Sequence, residues 1–336
     1  MTGIVFLAEQ PAANIDRIYP EDLKDRLRAR GSLYPVPIGH HNFHDPEPAA
    51  ALREAEYAFS TWGMPIFTQE EIGESMPNLK AVFYGAGTVQ GFARPFLNLG
   101  IQVASAWVAN GVPVAQYTLA QILLANKGFY QSMAQIKTDR TGAGHFSGQF
   151  PGNYRVRVGL LGIGAIGTMV AELLMPFGFE VLAFDPFLSD EKAAALRIRK
   201  AELAEIFSTC QTISNHLANL PATVGILNRE HFDRMLPLAT FINTGRGAQV
   251  VEADLAAALS AVPTRTAVLD VTWPEPMAPD NPLHQLPNVF LTPHIAGSSG
   301  QEVVRMGEWM VQEWERMQAG EPLRYGVTCK MLETMA

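Results

Sequence analysis

Between Val158 and Leu291, short apolar runs alternate with segments in which apolar residues return every three or four positions. That alternation predicts parallel strands joined by crossover helices. Strands are expected at Val158–Leu161, Glu180–Phe184, Gln211–Ser214, Thr240–Asn243, Ala267–Val271 and Val289–Leu291. Helices are expected at Ile166–Phe177, Ala201–Phe207, Arg229–Met235 and Glu252–Leu259. A looser version of the same rhythm fills the first hundred or so residues. It predicts strands at Ile4–Leu7, Tyr57–Ser60, Ala81–Tyr84 and Gln102–Ala104.

Val114–Phe129 is apolar enough to predict one long helix, and Thr141–Gly152, rich in Gly, Ser and Phe, reads as a loop. Near the C-terminus, Val303, Met306, Met310, Trp314 and Met317 recur at helical spacing over Gln301–Met317. Such a stripe is expected to be core rather than a ligand box. No internal repeat is visible.

Composition narrows the class. Of 336 residues, 48% are hydrophobic and 17% charged, which suits a folded, soluble protein large enough for two domains. A net charge of −8 argues against nucleic acid or an anionic membrane as partner. Two cysteines, Cys210 and Cys329, are too few for a disulfide framework, so a reducing cytoplasm is expected. The run Gly3–Ala8 has no basic residue before it and reads as a buried first strand, not a signal peptide. No apolar run approaches the length of a membrane span.

Four short segments carry candidate chemistry. Gly162-Ile-Gly164-Ala165-Ile166-Gly167 follows a strand and opens a helix, the setting in which a glycine turn cradles a dinucleotide pyrophosphate. The next strand ends at Asp185-Pro186, where a carboxylate can bond the adenosine ribose and repel a 2′-phosphate. Pro186-Phe187-Leu188 supplies no Arg or Lys, so NAD is favoured over NADP. Arg246, between two glycines at a strand end, can hold a carboxylate bidentately and polarise the adjoining carbonyl. Glu275 stands between Pro274 and Pro276, and His294 follows Pro293. A carboxylate bonded to one ring nitrogen fixes the tautomer and favours the protonated imidazole, whose other nitrogen then serves as acid/base. Taken singly, these three residues read as a loop arginine, a turn and a core histidine. Taken together at strand ends they point to a nicotinamide-dependent reduction of a 2-oxo acid.

From about Asn78 to Ser299 the sequence resembles the D-isomer-specific 2-hydroxyacid dehydrogenase family. The resemblance rests on Gly85-Ala-Gly87, the glycine loop with Asp185, Asn243-Thr-Gly-Arg246-Gly, Leu269-Asp270-Val with Glu275-Pro, and Thr292-Pro-His294-Ile-Ala-Gly297. It implies that Arg246, Glu275 and His294 are catalytic. It implies that Asp270, with Thr244 nearby, meets the nicotinamide amide, and that Ala86-Gly87 binds the substrate carboxylate. Ala165, Ile166, Pro186, His216 and Gly297 join the cofactor-binding set. The implied fold is α/β with two doubly wound parallel-sheet domains. A Rossmann cofactor domain (106–299) is inserted in a discontinuous flavodoxin-like substrate domain (1–105 with 300–336). A homodimer through the cofactor domain is implied as well.

Three positions depart from the family pattern: Gln116-Tyr117 replaces an acidic site, Ala218 a proline, and Val251 an aspartate. His40 and His44 imitate a metal pair, but the surrounding prolines argue against helical register, and no metal is expected. Trp62, after Ser60-Thr61, reads equally as pocket lining or core cover. The expected reaction is reduction of a small 2-oxo acid to its D-2-hydroxy acid with NADH, and the reverse. A phosphite-oxidising enzyme and a cofactor-sensing corepressor of the same fold stand as alternatives.

Overall fold

The structure is a computed structural model and describes residues 2–333. Its described residues fall into two compact units, 2–111 with 298–333, and Val112–Gly297.

In the first unit, β1 (Gly3–Leu7), β2 (Ser32–Leu33), β3 (Ala55–Ser60), β4 (Ala81–Tyr84) and β5 (Gln102–Ser105) form a parallel sheet in the order 2-1-3-4-5. The short strand Gly326–Val327 closes the β5 edge antiparallel. This is the flavodoxin-like doubly wound order. β4 is buried at all its positions, which is why the sequence there shows a run and no alternation. Under one face Phe59 stacks on Phe83 with centroids 5.1 Å apart, and Trp314 meets Phe59 edge-on. Trp314 belongs to the helix Glu302–Gln318, whose Val303, Met306 and Met310 are buried beside it. That helix lies close against Ala13–Ile18: a Cβ on Gly307 would stand 2.0 Å from the Ile18 carbonyl oxygen.

The second unit holds seven parallel strands. They are β6 (Arg157–Leu161), β7 (Glu180–Phe184), β8 (Arg199–Lys200), β9 (Thr212–Asn215), β10 (Thr240–Asn243), β11 (Thr266–Leu269) and β12 (Val289–Leu291). Their order is 12-11-10-9-6-7-8. Counted from β6, this is the Rossmann order with one further strand, and it reverses where β6 pairs with both β7 and β9. Ligands of such sheets bind outside the carboxyl ends at that reversal. Both faces are apolar: Ile206, Phe207, Phe232 and Phe241 pack on one, and Val170, Leu174, Ile122 and Val158 on the other.

Several local expectations need correction. The expected loop at Thr141–Gly152 contains a helix, Gly142–Ser147. Asp139 Oδ1 accepts from the Gly142 N–H at 2.8 Å, and Phe146 packs edge-on against Phe150, contacts that its Gly- and Ser-rich composition hid. The helix expected at Val114–Phe129 is present with other limits, Trp107–Asn126, and a second helix starts at Phe129. Trp107–Asn126 runs through Pro113, and Phe129–Thr138 begins after Gly128 turns the chain at φ +65°. The helix expected at Arg229–Met235 ends at Phe232. The two-residue strands β2, β8 and Gly326–Val327 are too short to leave a periodic signal.

Candidate active site

The glycine loop follows β6, and each glycine is there for a different reason. A Cβ on Gly162, which sits at φ +88°, would come within 2.7 Å of the His216 carbonyl oxygen. One on Gly167 would stand 2.0 Å from the Gly162 oxygen, so helix Ala165–Leu174 could not seat against the strand. Gly164 has nothing within 4 Å. Its bare backbone, at the start of that helix with Ala165 and Ile166 in the first turn, fits a phosphate pair. The Asp185 carboxylate accepts from the Ile163 N–H at 2.7 Å and the Phe187 N–H at 2.8 Å. It therefore ties the loop to the end of β7 while each oxygen keeps a second lone pair. Pro186 and Phe187 beside it are exposed.

Arg246 rises from a buried amide network that sequence reading missed. Asn215 ends β9 and Asn243 ends β10, in register with each other. Asn215 Nδ2 donates to Asn243 Oδ1 at 3.0 Å and to Gln249 Oε1 at 2.6 Å. Gln249 Nε2 in turn donates to the carbonyls of Leu217 and Ala218, and Asn243 Nδ2 to that of Arg246. The Arg246 backbone N–H reaches Gln249 Oε1 at 3.3 Å. One guanidinium nitrogen donates to the Gly245 carbonyl at 2.8 Å. Burial pushes the guanidinium below its ordinary value and the charge of Glu275 pushes it back; an arginine stays charged regardless. The visible signal was the pair of asparagines closing two buried strands.

His294 lies three residues beyond β12, in the positive-φ region at +54°. A non-glycine residue persists there only when its surroundings hold it. Asp270, after β11, does the holding. It is buried, and its carboxylate accepts from Thr292 Oγ1 at 2.6 Å, the Ile295 N–H at 2.8 Å and the Ala296 N–H at 2.9 Å. Its own carbonyl accepts from the His294 N–H at 3.0 Å. Tyr117, where the sequence departs from the family pattern, places its hydroxyl 3.2 Å from Thr292 Oγ1. The imidazole Nδ1 then meets Glu275 Oε1 at 2.6 Å, leaving Nε2 free to face a ligand. Both side chains are a little under half exposed. Gly297 ends the loop.

His216 is half-buried beside two hydroxyls. Its ring nitrogens meet Ser214 Oγ at 3.0 Å and Thr244 Oγ1 at 3.4 Å, and Thr244 meets Thr118 Oγ1 at 3.2 Å. Burial lowers its pKa to about 3, so it is a neutral hydrogen-bonding group.

The remaining candidates belong to the other unit, where they occupy neighbouring loops. Thr61 Oγ1 donates to the Gly85 carbonyl at 2.9 Å, joining the loop of Trp62 to that of Ala86 and Gly87. Ser105 Oγ engages the Ala86 and Gly87 carbonyls at 2.9 and 2.6 Å. Trp62 is 36% exposed, so it is not a core residue. His40 pairs with Glu9, and the His44 ring lies tilted against Phe43.

Residues 119–296 match the family model of the D-isomer specific 2-hydroxyacid dehydrogenase, NAD binding domain. A D-3-phosphoglycerate dehydrogenase of Archaeoglobus fulgidus is 30% identical over 235 residues, which are 70% of this chain and 44% of that one. The chain thus spans less than half the length of the curated relatives it matches. A phosphoglycerate oxidoreductase from Rhizobium etli superposes with a TM-score of 0.80 at 20% identity, covering 97% of both chains. The NAD-complexed D-isomer specific 2-hydroxyacid dehydrogenase of Lactobacillus delbrueckii ssp. bulgaricus does so at 0.76 and 18%, covering 97% of this chain and 99% of that one. Both share the fold.

Proposed function

Because the chain belongs to the D-isomer specific 2-hydroxyacid dehydrogenase family, we propose that it reduces a small 2-oxo acid to the D-2-hydroxy acid with NADH and catalyses the reverse oxidation. The observation that carries the reading is the 2.6 Å contact between His294 Nδ1 and Glu275 Oε1, which presents the other ring nitrogen as an acid/base. NADH, when bound, supplies hydride to the carbonyl carbon. The loop Gly162–Gly167 would hold its pyrophosphate at the helix N-terminus, with Gly164 at the point of approach, and Asp185 would meet the adenosine ribose. Asp270, Thr244, His216 and Gly297 shape the nicotinamide end, with Asp270 acting through the loop it pins.

Arg246 clamps the substrate carboxylate and polarises its carbonyl; one guanidinium nitrogen is committed to Gly245 and the rest of its fork remains for the ligand. His294 Nε2 gives its proton to the carbonyl oxygen in reduction and takes one from the hydroxyl in oxidation. Glu275, bonded to Nδ1, fixes the orientation of the ring so that Nε2 is the atom that faces the substrate. Ala86, Gly87 and the exposed indole of Trp62 are proposed as further substrate contacts. The enzyme works in the cytoplasm as a homodimer. No described helix is long and apolar enough to cross a membrane.

NADH oxidation with glyoxylate, hydroxypyruvate, pyruvate and bulkier 2-oxo acids tests this, with NAD reduction by phosphite run alongside. Turnover of at least one 2-oxo acid is expected. NADH binding without turnover of any substrate would favour the corepressor reading, and turnover of phosphite alone the other branch.

A further inference from the structure

The segment directly after Asp185 lacks a cation, but the fold returns one to the same place. Lys192, on the short helix Asp190–Ala195, donates from Nζ to the Ile163 carbonyl at 2.8 Å. The N–H of that same Ile163 is bonded to Asp185 Oδ2. One residue of the glycine loop thus bridges the carboxylate that faces the ribose and an ammonium seven positions further along the chain. The neighbouring acid Asp190 is engaged elsewhere, with Lys200 at 3.0 Å. Thr168 Oγ1 also reaches the Ile163 carbonyl, at 3.3 Å, so this oxygen keeps a partner if Lys192 turns away. Lys192 is exposed, and an ammonium has three donors, of which the loop takes one.

We infer that Lys192 is a second determinant of cofactor choice: it takes the 2′-phosphate of NADPH, working against Asp185, so that the enzyme accepts NADPH as a weaker alternative to NADH. The inference rests on the cofactor reading proposed above. A carboxylate beside the ribose disfavours the 2′-phosphate, while an ammonium on the same loop offers it a charge-assisted hydrogen bond. Lysine suits this role as a mobile point charge. With NADH it stays on Ile163; with NADPH it moves to the phosphate.

Calorimetric titration of the whole protein with ADP and with 2′,5′-ADP separates the possibilities. Lys192→Gln is expected to weaken 2′,5′-ADP about tenfold, the scale of one hydrogen bond to a charged group, while ADP changes less than about twofold. Asp185→Ser should tighten 2′,5′-ADP, and adding Lys192→Gln to it should remove that gain. Equal weakening of both ligands would overturn the inference, since Lys192 would then serve a phosphate common to them; so would no change in either. Failure of the wild-type protein to bind ADP, 2′,5′-ADP or NADH would instead overturn the cofactor reading itself.

Discussion

His294 Nδ1 stands 2.6 Å from Glu275 Oε1 while the His294 backbone is held at φ +54° by a loop tied to Asp270. The pair is thus placed by two different parts of the chain. The Glu275 side chain directs the ring, and Asp270 directs the backbone that carries it. Removing either partner has a different signature.

Glu275→Gln keeps a hydrogen bond to Nδ1 and loses the charge. Reduction at neutral pH is expected to fall at least about tenfold, with a smaller loss in oxidation, because only reduction requires the charged ring. His294→Ala should cost about 10²–10⁴-fold in both directions, the usual contribution of a general acid/base. NADH binding by fluorescence should survive both changes, since neither side chain is placed on the cofactor. A His294→Ala protein with near-normal kcat/KM would remove the ring from the mechanism.

Arg246→Lys keeps the charge but not the planar fork. A fall of about a hundredfold or more in kcat/KM is expected, since an ammonium cannot hold a carboxylate on two parallel bonds and reach its carbonyl as well. The amide network of Asn215, Asn243 and Gln249 is untouched by this change, so Tm should move little. Kinetics close to wild type in the folded variant would show that Arg246 does not clamp the substrate.

Much of this arrangement was legible before the fold. Strands β7, β10 and β12 have the limits their apolar runs indicate, because polar turns bound each run sharply. The glycine loop, Arg246, Glu275 and His294 stand out as odd residues at strand ends. What stayed hidden depends on distance in sequence. Gln249 looks like a surface glutamine until Asn215, 34 positions earlier, is folded against it. Lys192 carries no local mark of its bond to Ile163, 29 positions away. Asp270 reads as a ligand contact, and only the fold shows how many backbone and hydroxyl donors its carboxylate already serves.

Asp270→Asn tests that internal role. The carboxylate faces only donors: one hydroxyl and two backbone N–H groups. An amide there must turn its own NH₂ toward a donor, leaving buried groups unpaired at a cost of about 1–3 kcal/mol. Tm should fall by several degrees in the absence of any ligand, and kcat should fall with it as His294 loses its placement. Unchanged Tm with lost activity would mean that Asp270 acts on the cofactor directly instead.

His216 gives the protein a defined sensitivity to acid. Its ring meets the hydroxyls of Ser214 and Thr244, and burial lowers its pKa from 6.5 to about 3. Between those values the unfolded chain holds a proton that the folded chain does not, so stability rises with pH across the window. The contribution is complete above pH 6.5 and is lost as the pH falls toward 3. At pH 5 the loss amounts to roughly 2 kcal/mol. Urea unfolding of the cofactor-free protein at pH 7 and pH 5 measures it. The wild type should lose roughly 2 kcal/mol more between the two than His216→Gln, whose side chain cannot titrate. Equal losses would mean that the imidazole takes its proton inside the folded protein.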